Sequence, residues 1–394
     1  MRQYAAGTFD VANVPCATAA PAPESVLSVR ERLAGNIDPC FVADWQALAE
    51  SASEPNSFQE PWFVAAGLDF LADDEVRLIE VRDRVLVGII PLSICRGLGR
   101  IPLANVQNWR HDHAFLGTPL VRAGRERDFW SGLLAHLDQA GWAPGFLHIN
   151  GLVEGGPVHR GLTAAAATLG RSAPVVQRQM RAALASDLSP HAYLERNVRK
   201  KKRKELKRLA NRLAELGDLR SRQLERDEDW EPWCDDFLEL ERSGWKGRNG
   251  SALACAPETE RFLRQALAGA AAAGRLEMRR LDLAGRPIAM QMNFLAPPGS
   301  FSFKIAFDEH YARFSPGVLL QLDNLDLLAR PDIGWMDSCA AENHPMIDSL
   351  WAERRSIVRV SVRLGGLRRG LAFAACRAVE IARAAAKNAL RRMR

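Results

Sequence analysis

The segment Ser315-Pro316-Gly317 has the residue types of a helix start that could bind a phosphate group. Ser315 suits the N-cap and Pro316 the first helical position, and a leucine-rich run at helical spacing follows. The first turn of a helix presents free backbone N–H groups and the positive end of the helix dipole. Because Gly317 has no side chain to obstruct a ligand, a phosphate or pyrophosphate could bind there. A plain helix start without a ligand fits the same residues.

The residues around this segment predict a three-stranded meander that leads into the helix. Residues 275–308 read as three strands joined by tight turns at Ala284-Gly285 and Pro298-Gly299. Together with the elements that follow it, the meander gives the second half the predicted element order β-β-β-α-β-α-β, and two helices precede it. The other elements are predicted as helices at 228–243, 257–273 and 344–353, a helix from Ser315, and strands at 334–339 and 356–362.

The first half of the chain repeats this order of elements, although not the residues themselves. A hairpin is predicted across residues 75–96, with Asp83-Arg84 at its turn. The remaining elements are helices at 43–52, 60–71, 125–140 and 156–170, and strands at 101–107, 145–150 and 173–184. The repeat predicts two similar α/β domains, at 26–185 and 186–362. An Ala/Pro/Ser-rich flexible leader over 1–25 precedes them, and a basic amphipathic tail over 363–394 follows.

A basic segment joins the two halves. Residues 189–217 start with Ser189-Pro190, stop at Gly217, and are predicted to form one helix. Leucines at helical spacing form one apolar stripe, and lysines and arginines cover the other faces. The stripe consists of Leu206, Leu209, Leu213 and Leu216.

Several segments of the second half resemble the GNAT acyltransferases of the CelD-like branch, which is related to the FemAB-type peptidyltransferases. They are RNVRKKKRKELKRL, LELERSGWKGRNGSAL, FKIAFDEHYARFSPGVLL and DSCAAENHPMIDSLW, which cover about 190–362 in that order. The resemblance implies an α/β fold of tandem GNAT-like domains. Each would be a mixed, mostly antiparallel sheet flanked by helices, and a C-terminal basic helix would follow. It also implies an acyl-CoA-dependent N-acyltransferase, with acetyl-CoA or another acyl-CoA as donor. The donor-binding residues would be Arg313, Phe314, Ser315, Pro316, Gly317 and Val318.

Acyl transfer to an amine requires a deprotonated amine, a polarised carbonyl and protonation of the leaving thiolate. The resemblance places the reacting centre near His310 and Tyr311, which could act as a base and as an acid toward the thiolate. A carboxylate that takes the amine proton would be Asp337 or Glu342, after the next strand. Loop contacts or packing are the simpler roles for each of these residues.

The acceptor is expected to bind at a loop and a strand. Glu241 ends a predicted helix, and the Gly-rich loop after it carries Trp245, Lys246 and Arg248, which could form an acceptor-binding lid. Alternation along the strand puts Lys304 on the face opposite Phe303, where it would line the cleft or face water at a sheet edge. The first half is interpreted as structural or as a wall of the acceptor cleft.

Composition and motifs argue against membrane-spanning, nucleotide-binding and metal-binding proteins. The 394 residues carry 53 Lys and Arg against 47 Asp and Glu, and much of the +6 excess lies in residues 196–212 and in the tail. The seven cysteines are scattered singly, which fits a reducing cytoplasm. No membrane-spanning run, nucleotide-binding motif or metal signature is present, and His111-Asp112-His113 is interpreted as a solvated loop. We therefore expect no metal and a cytoplasmic protein.

The expected partner is a small-molecule or glycan amine acceptor, and the resemblance suggests a link to exopolysaccharide or envelope biosynthesis. The tail could contact an anionic membrane surface, which would make the protein peripheral to the inner membrane. Two alternatives remain open. One is an aminoacyl-tRNA-dependent FemAB-type peptidyltransferase, the only case in which nucleic acid is expected, through residues 196–212. The other is a non-catalytic assembly partner of a membrane polysaccharide synthase.

Overall fold

A computed structural model describes residues 27–33, 35, 37–73, 75–98 and 101–392, and within them one mixed sheet is flanked by helices. The leader expected at 1–25 lies outside the described residues. The strands are β1 (Ser28–Leu33), β2 (Arg77–Arg82), β3 (Leu86–Cys95), β4 (Asn105–Asn108), β5 (Leu120–Val121), β6 (Phe146–Val153), β7 (Val175–Leu184), β8 (Leu219–Gln223), β9 (Leu276–Leu283), β10 (Arg286–Ala296), β11 (Gly299–Phe307), β12 (Trp335–Asp337) and β13 (Glu353–Arg363). The helices are α1 (Pro39–Glu50), α2 (Pro61–Leu71), α3 (Glu126–Gln139), α4 (Pro157–Thr168), α5 (Pro190–Asn197), α6 (Lys200–Ala214), α7 (Glu231–Ser243), α8 (Trp245–Arg248), α9 (Pro257–Ala272), α10 (Pro316–Asp323) and α11 (Leu367–Arg392).

The two halves of the chain exchange their last strands. The spatial order is β1-β2-β3-β4-β6-β13-β7-β12-β11-β10-β9-β8, with β5 paired to β3 outside this path. The last strand, β13, therefore lies antiparallel between β6 and β7 of the first half. In turn, β7 pairs with β12 of the second half. Each half thus completes its sheet with a strand from the other, while the boundaries at 26–185 and 186–362 stay a prediction.

The mixed, mostly antiparallel α/β architecture predicted from the sequence is confirmed, and both turns of the 275–308 meander are where they were expected. Three strands were not predicted: β1, β5 and β8. The helix predicted over 189–217 is two helices, because the buried Val198 between them has an extended backbone. The helix predicted over 344–353 is also wrong. Only a 3₁₀ turn forms at Ile347–Ser349, since Glu353 already pairs with β7.

The two halves also share one hydrophobic core. Phe58 of the first half lies 5.1 Å from Phe301 and 6.5 Å from Phe294 of the second half, measured between ring centroids. On the other side of the shared sheet, Leu133 of α3 packs in a cluster that contains Val360 of β13. Burial of apolar surface is the main stabilising term in folding, so these shared clusters couple the halves energetically.

We expect the chain to unfold in one cooperative transition, even though its topology repeats. Leu133→Ala removes a fully buried side chain and should lower the free energy of unfolding by about 2–5 kcal/mol. Differential scanning calorimetry should show a single peak that moves as a whole. Leu371→Ala, at a 72% exposed position, is the matched control and should change stability by no more than about 0.5 kcal/mol. Two peaks, of which only one moves, would contradict the coupling.

Candidate active site

The sheet opens between two neighbouring strands of the second half. β12 pairs in parallel with β11 only along Gly299–Phe301, opposite Trp335–Asp337. β11 continues to Phe307, whereas β12 stops at Asp337. A cavity of about 530 Å³ fills the gap that results. It is bordered by the second part of β11, the start of α10, and the segment that follows β12.

About half of the residues expected at the site line this cavity. They are Trp245, Lys246, Lys304, Ser315, Pro316, Gly317 and Val318. Phe115 of the first half also lines it, as expected if that half forms a wall of the cleft. The structure thus brings the loop, the strand and the helix start together around one opening.

The start of α10 borders the cavity, with Ser315 at the N-cap and Pro316 at the first helical position, as predicted. Ser315 has left-handed backbone angles, φ 55° and ψ 50°, and its side chain makes no capping hydrogen bond. Its carbonyl accepts the N–H groups of Val318 and Leu319. A Cβ added at Gly317 would meet Phe307 at 3.5 Å and no protein atom more closely. The first turn is thus open toward the ligand space.

Lys304 points toward the first half because a β-bulge interrupts the alternation of β11. Asn293 pairs with Ser302 and Met292 with Lys304, which leaves Phe303 as an extra residue. The Lys304 ammonium lies 5.4 Å from the Phe303 ring centroid and 5.3 Å from that of Phe115. The prediction that Lys304 lies opposite Phe303 is therefore wrong, since the bulge turns both side chains to the same side of the sheet.

The ammonium group of Lys304 lies in a poorly solvated pocket next to a neutral histidine. Burial lowers the pKa of Lys304 to about 8, and the nearby charge of Lys246 lowers it as well. Burial, followed by the charge of Lys304, lowers the pKa of His113 to about 3, so His113 is neutral at pH 7. Lys304 Nζ and His113 Nδ1 are 3.1 Å apart, with the ammonium donating. A partly desolvated amine at the cleft is suited to act on developing negative charge.

His113 is a site residue that the sequence analysis missed. Its ring stacks on Phe262 at 5.5 Å, and His111 stacks on Phe63 at 5.3 Å. The solvated loop predicted for His111-Asp112-His113 is therefore wrong for both histidines, while Asp112 is exposed. The residues that contact His113 come from distant parts of the chain, so no local sequence pattern could have indicated its place at the site.

The predicted acceptor loop is a short helix, α8, fastened at both ends. Glu241 is buried and accepts hydrogen bonds from Lys246 Nζ at 2.7 Å and from the Leu253 N–H at 2.8 Å. Glu309 accepts from the Trp245 N–H at 2.7 Å and from Arg248 at 2.6 Å. α8 is therefore held across one side of the cleft, with Glu241 and Arg248 as anchors outside the cavity lining.

Asp337 lies beneath the cleft as a buried ion-pair partner. Its carboxylate is fully buried, 3.3 Å from Arg181 on β7 and 3.3 Å from Arg355 on β13. It also accepts the Cys339 N–H at 2.8 Å. These bonds position the segment after β12 and tie it to the exchanged strands. A carboxylate engaged in this way is better placed to hold the site than to remove a proton.

The remaining predicted residues lie outside the cavity lining. Glu342 is exposed, and the His310 side chain is 92% exposed with its Nδ1 2.7 Å from Asp308. Tyr311 and Phe314 pack against the core beneath α10, and the Arg313 guanidinium lies 4.7 Å above the Phe314 ring. The geometry gives none of these five residues a contact with the cleft.

The described part of the chain has neither a metal-binding cluster nor a membrane-spanning helix. Its residues contain no group of three or more side chains that could hold a metal ion. None of its helices combines the length and apolar character needed to cross a membrane.

Comparisons with known proteins give a family match for part of the chain and a similar fold. Residues 200–344 match the family model described as "Acetyltransferase (GNAT) domain". The crystal structure of FemX is similar, with a TM-score of 0.54 and 12% identity over 84% of this chain and 96% of that one. For L-PGS from Bacillus licheniformis the TM-score is 0.49 and the identity 12%, over 86% of this chain and 96% of that one. For a tandem GNAT protein from the clavulanic acid biosynthesis pathway the TM-score is 0.45 and the identity 18%, over 87% of this chain and 100% of that one. No protein with a curated description matches this chain.

The ion pairs of Asp337 should matter more for stability than a surface ion pair of similar geometry. Asp337→Asn leaves Arg181 and Arg355 without a counter-charge and should cost about 3–5 kcal/mol of unfolding free energy. Asp332→Asn, which breaks a half-exposed pair with Arg330, is the control and should cost about 1 kcal/mol or less. Urea unfolding followed by circular dichroism measures both. Equal losses would show that Asp337 does not tie the exchanged strands together.

Proposed function

We propose that this protein transfers an acyl group from acyl-CoA, most simply acetyl-CoA, to an amine, since residues 200–344 match the family model of a GNAT acetyltransferase domain. One observation carries the proposal: the opening between β11 and β12, with the first turn of α10 on its border. A thioester could lie along the unpaired edge of β11 while its pyrophosphate meets the helix start. The cavity of about 530 Å³ is in the range of small-molecule sites.

The basic helix α6 supports an anionic donor at this opening. α6 packs against the 309–314 turn that precedes α10, and Lys202 hydrogen-bonds Ser349 behind the cleft. Its lysines and arginines thus raise the positive potential near the helix start. The same potential suits the phosphates of CoA and those of a charged tRNA, so the aminoacyl-tRNA alternative is the outcome to test if CoA fails to bind.

The reaction proposed is direct transfer. The acceptor nitrogen attacks the thioester carbonyl carbon, the C–N bond forms, the C–S bond breaks, and the amine proton is lost as the thiolate gains one. The Lys304 ammonium would stabilise the negative charge that develops on the carbonyl oxygen. Burial, followed by the charge of Asp337, raises the pKa of the Cys339 thiol, so it stays protonated at the cavity wall and is not activated for a covalent intermediate.

We further propose that the amine acceptor is a precursor for envelope or exopolysaccharide assembly and that the protein works in the cytoplasm at the inner membrane. The support is the last helix, α11, which is basic and presents large apolar side chains to the solvent. Leu367 is 89% and Leu371 72% exposed. A basic amphipathic helix of this kind can lie on an anionic lipid surface. If the chain instead acts as a non-catalytic assembly partner, this helix would work without any thioester binding.

Acyl-CoA binding should depend on charge at the start of α10. The parent should bind acetyl-CoA in calorimetry, and Gly317→Glu should weaken binding at least about tenfold, because it adds a negative charge beside the pyrophosphate. Gly317→Gln has nearly the same size without the charge and separates repulsion from steric blocking. No heat from the parent with acetyl-CoA or longer acyl-CoAs would rule out a CoA donor, and charged tRNA would be tested next.

Activity should fall as the pH rises through about 8. Lys304 has its pKa lowered to about 8, below the usual lysine value, so the site loses its positive charge above that pH. Lys304→Arg stays charged and should lack this alkaline decline, whereas Lys304→Met should lose roughly 10²-fold or more in rate at every pH. The measurement is CoA release from acetyl-CoA with a panel of amino sugars and amino acids. A parent rate that rises steadily through pH 8 would instead assign Lys304 the role of a neutral base.

A further inference from the structure

A second cavity adjoins the cleft on the side of the first half. Its volume is about 310 Å³, and it shares Phe115, Cys339 and Ala340 with the first cavity. The shared residues form the wall between the two spaces. A molecule in the second cavity could therefore reach the Lys304 side of the cleft past the Phe115 ring.

Arginines from three separate elements meet in this cavity. Arg110 follows β4, Arg181 lies on β7 and Arg359 on β13, and the lining has a single acidic side chain, the exposed Asp112. Arg359 is paired with Gln177 across the β7–β13 ladder, so the floor of the cavity is formed by the exchanged strands. Neither half of the chain could form this site alone.

Two of these arginines have no partner among the described residues. Arg181 is bonded to Asp337 and to the Phe115 carbonyl, although its buried Nε makes no hydrogen bond. The guanidinium groups of Arg110 and Arg359 form no hydrogen bond and no ion pair with any residue that the structure describes, and the nearest opposite charge to Arg110 is that of Asp112. Both side chains are solvent-accessible and lie beside the charge of Arg181 in a concave site, so an anion that enters the cavity can bind them through charge-assisted hydrogen bonds.

The backbone at Gly151 leaves room for the Arg110 side chain. Gly151 sits at a bulge opposite Arg359 with φ +85°, in the left-handed region. A Cβ at Gly151 would lie 2.8 Å from the Gly117 nitrogen and 3.2 Å from Arg110 Nη1. Surrounding protein atoms, followed by the charges of Arg359 and Arg181, lower the pKa of Arg110 to about 10, so it remains protonated at neutral pH. The cavity therefore holds like charges together that an anion would stabilise.

We propose that this arginine cavity binds the phosphate monoester of a small amine acceptor and directs its amine into the cleft. A phosphate monoester carries nearly two negative charges at pH 7 and three acceptor oxygens, which matches two unpaired arginines with the amides of Gln177 and Gln179 beside them. A carboxylate supplies only one charge. The identity of the acceptor rests on the proposed acyl transfer, but the anion site itself can be tested without it.

The test titrates inorganic phosphate into the full chain by calorimetry at fixed ionic strength. The titration uses the Gly317→Glu background, whose helix start is closed to anions, so that phosphate binding there does not count. We expect Arg110→Gln with Arg359→Gln to weaken binding at least about tenfold. Arg84→Gln removes an equally exposed arginine in the β2–β3 turn and should leave binding unchanged. The thermal midpoint of the double variant should equal or exceed that of its background, because the substitutions break no bond of the two guanidinium groups and remove like charges that repel each other.

A second experiment compares the binding of two amines to the parent chain by calorimetry. Glucosamine 6-phosphate is the phosphorylated amine, and glucosamine is the unphosphorylated one. Tighter binding of the phosphorylated sugar, lost in the double variant, supports the proposal. Equal binding of the two sugars, or a loss with Arg84→Gln as large as with the double variant, overturns it. Acetyl-CoA binding to the double variant is measured in parallel. If it persists while phosphate fails to bind the Gly317→Glu chain, the anion site is disproved and the donor site stands.

Discussion

The reciprocal pairing of β7 and β13 is the constraint on which the rest of the structure depends. It places a strand of each half inside the sheet of the other and thereby sets Arg181 beside Arg355 above a single carboxylate, Asp337. That carboxylate in turn holds the backbone where β12 stops and the sheet opens. The cleft and the arginine cavity are therefore two sides of one junction. Their relative position is fixed by backbone hydrogen bonds rather than by a flexible interface between domains.

Much of the second half could be predicted from the sequence because its signals are local. The turns of the meander and the start of α10 follow from Gly and Pro positions, and residues 200–344, where the resemblance was noted, match the GNAT family model. The direction of Lys304 could not be predicted, because the bulge at Phe303 depends on the register against β10. Asp337 had the residue type of a base, but its two arginine partners are set by strands far away in sequence. Topology across the halves lies beyond single-sequence patterns.

The site concentrates positive charge that the fold does little to neutralise. Lys304 has a neutral histidine as its hydrogen-bond partner, and Arg110 and Arg359 face each other's charge across the second cavity. Such groups weaken the folded state when no ligand is bound, which is the usual relation between a functional site and the stability around it. The apolar clusters that both halves share on either side of the sheet offset this loss of stability. The interleaved fold thus supports an electrostatic arrangement that a smaller single domain would hold less well.

The interleaving also has a consequence for how the protein is made. Because β13 fills the gap between β6 and β7, the first half stays open along those strand edges until β13 has been synthesised and has left the ribosome. Open edges pair readily with other chains, so the period of synthesis is the one in which this protein is most exposed to misassembly. Arg359 arrives with the same strand that closes the sheet. A product that terminates before β13 therefore lacks both a finished sheet and Arg359 of the arginine cavity.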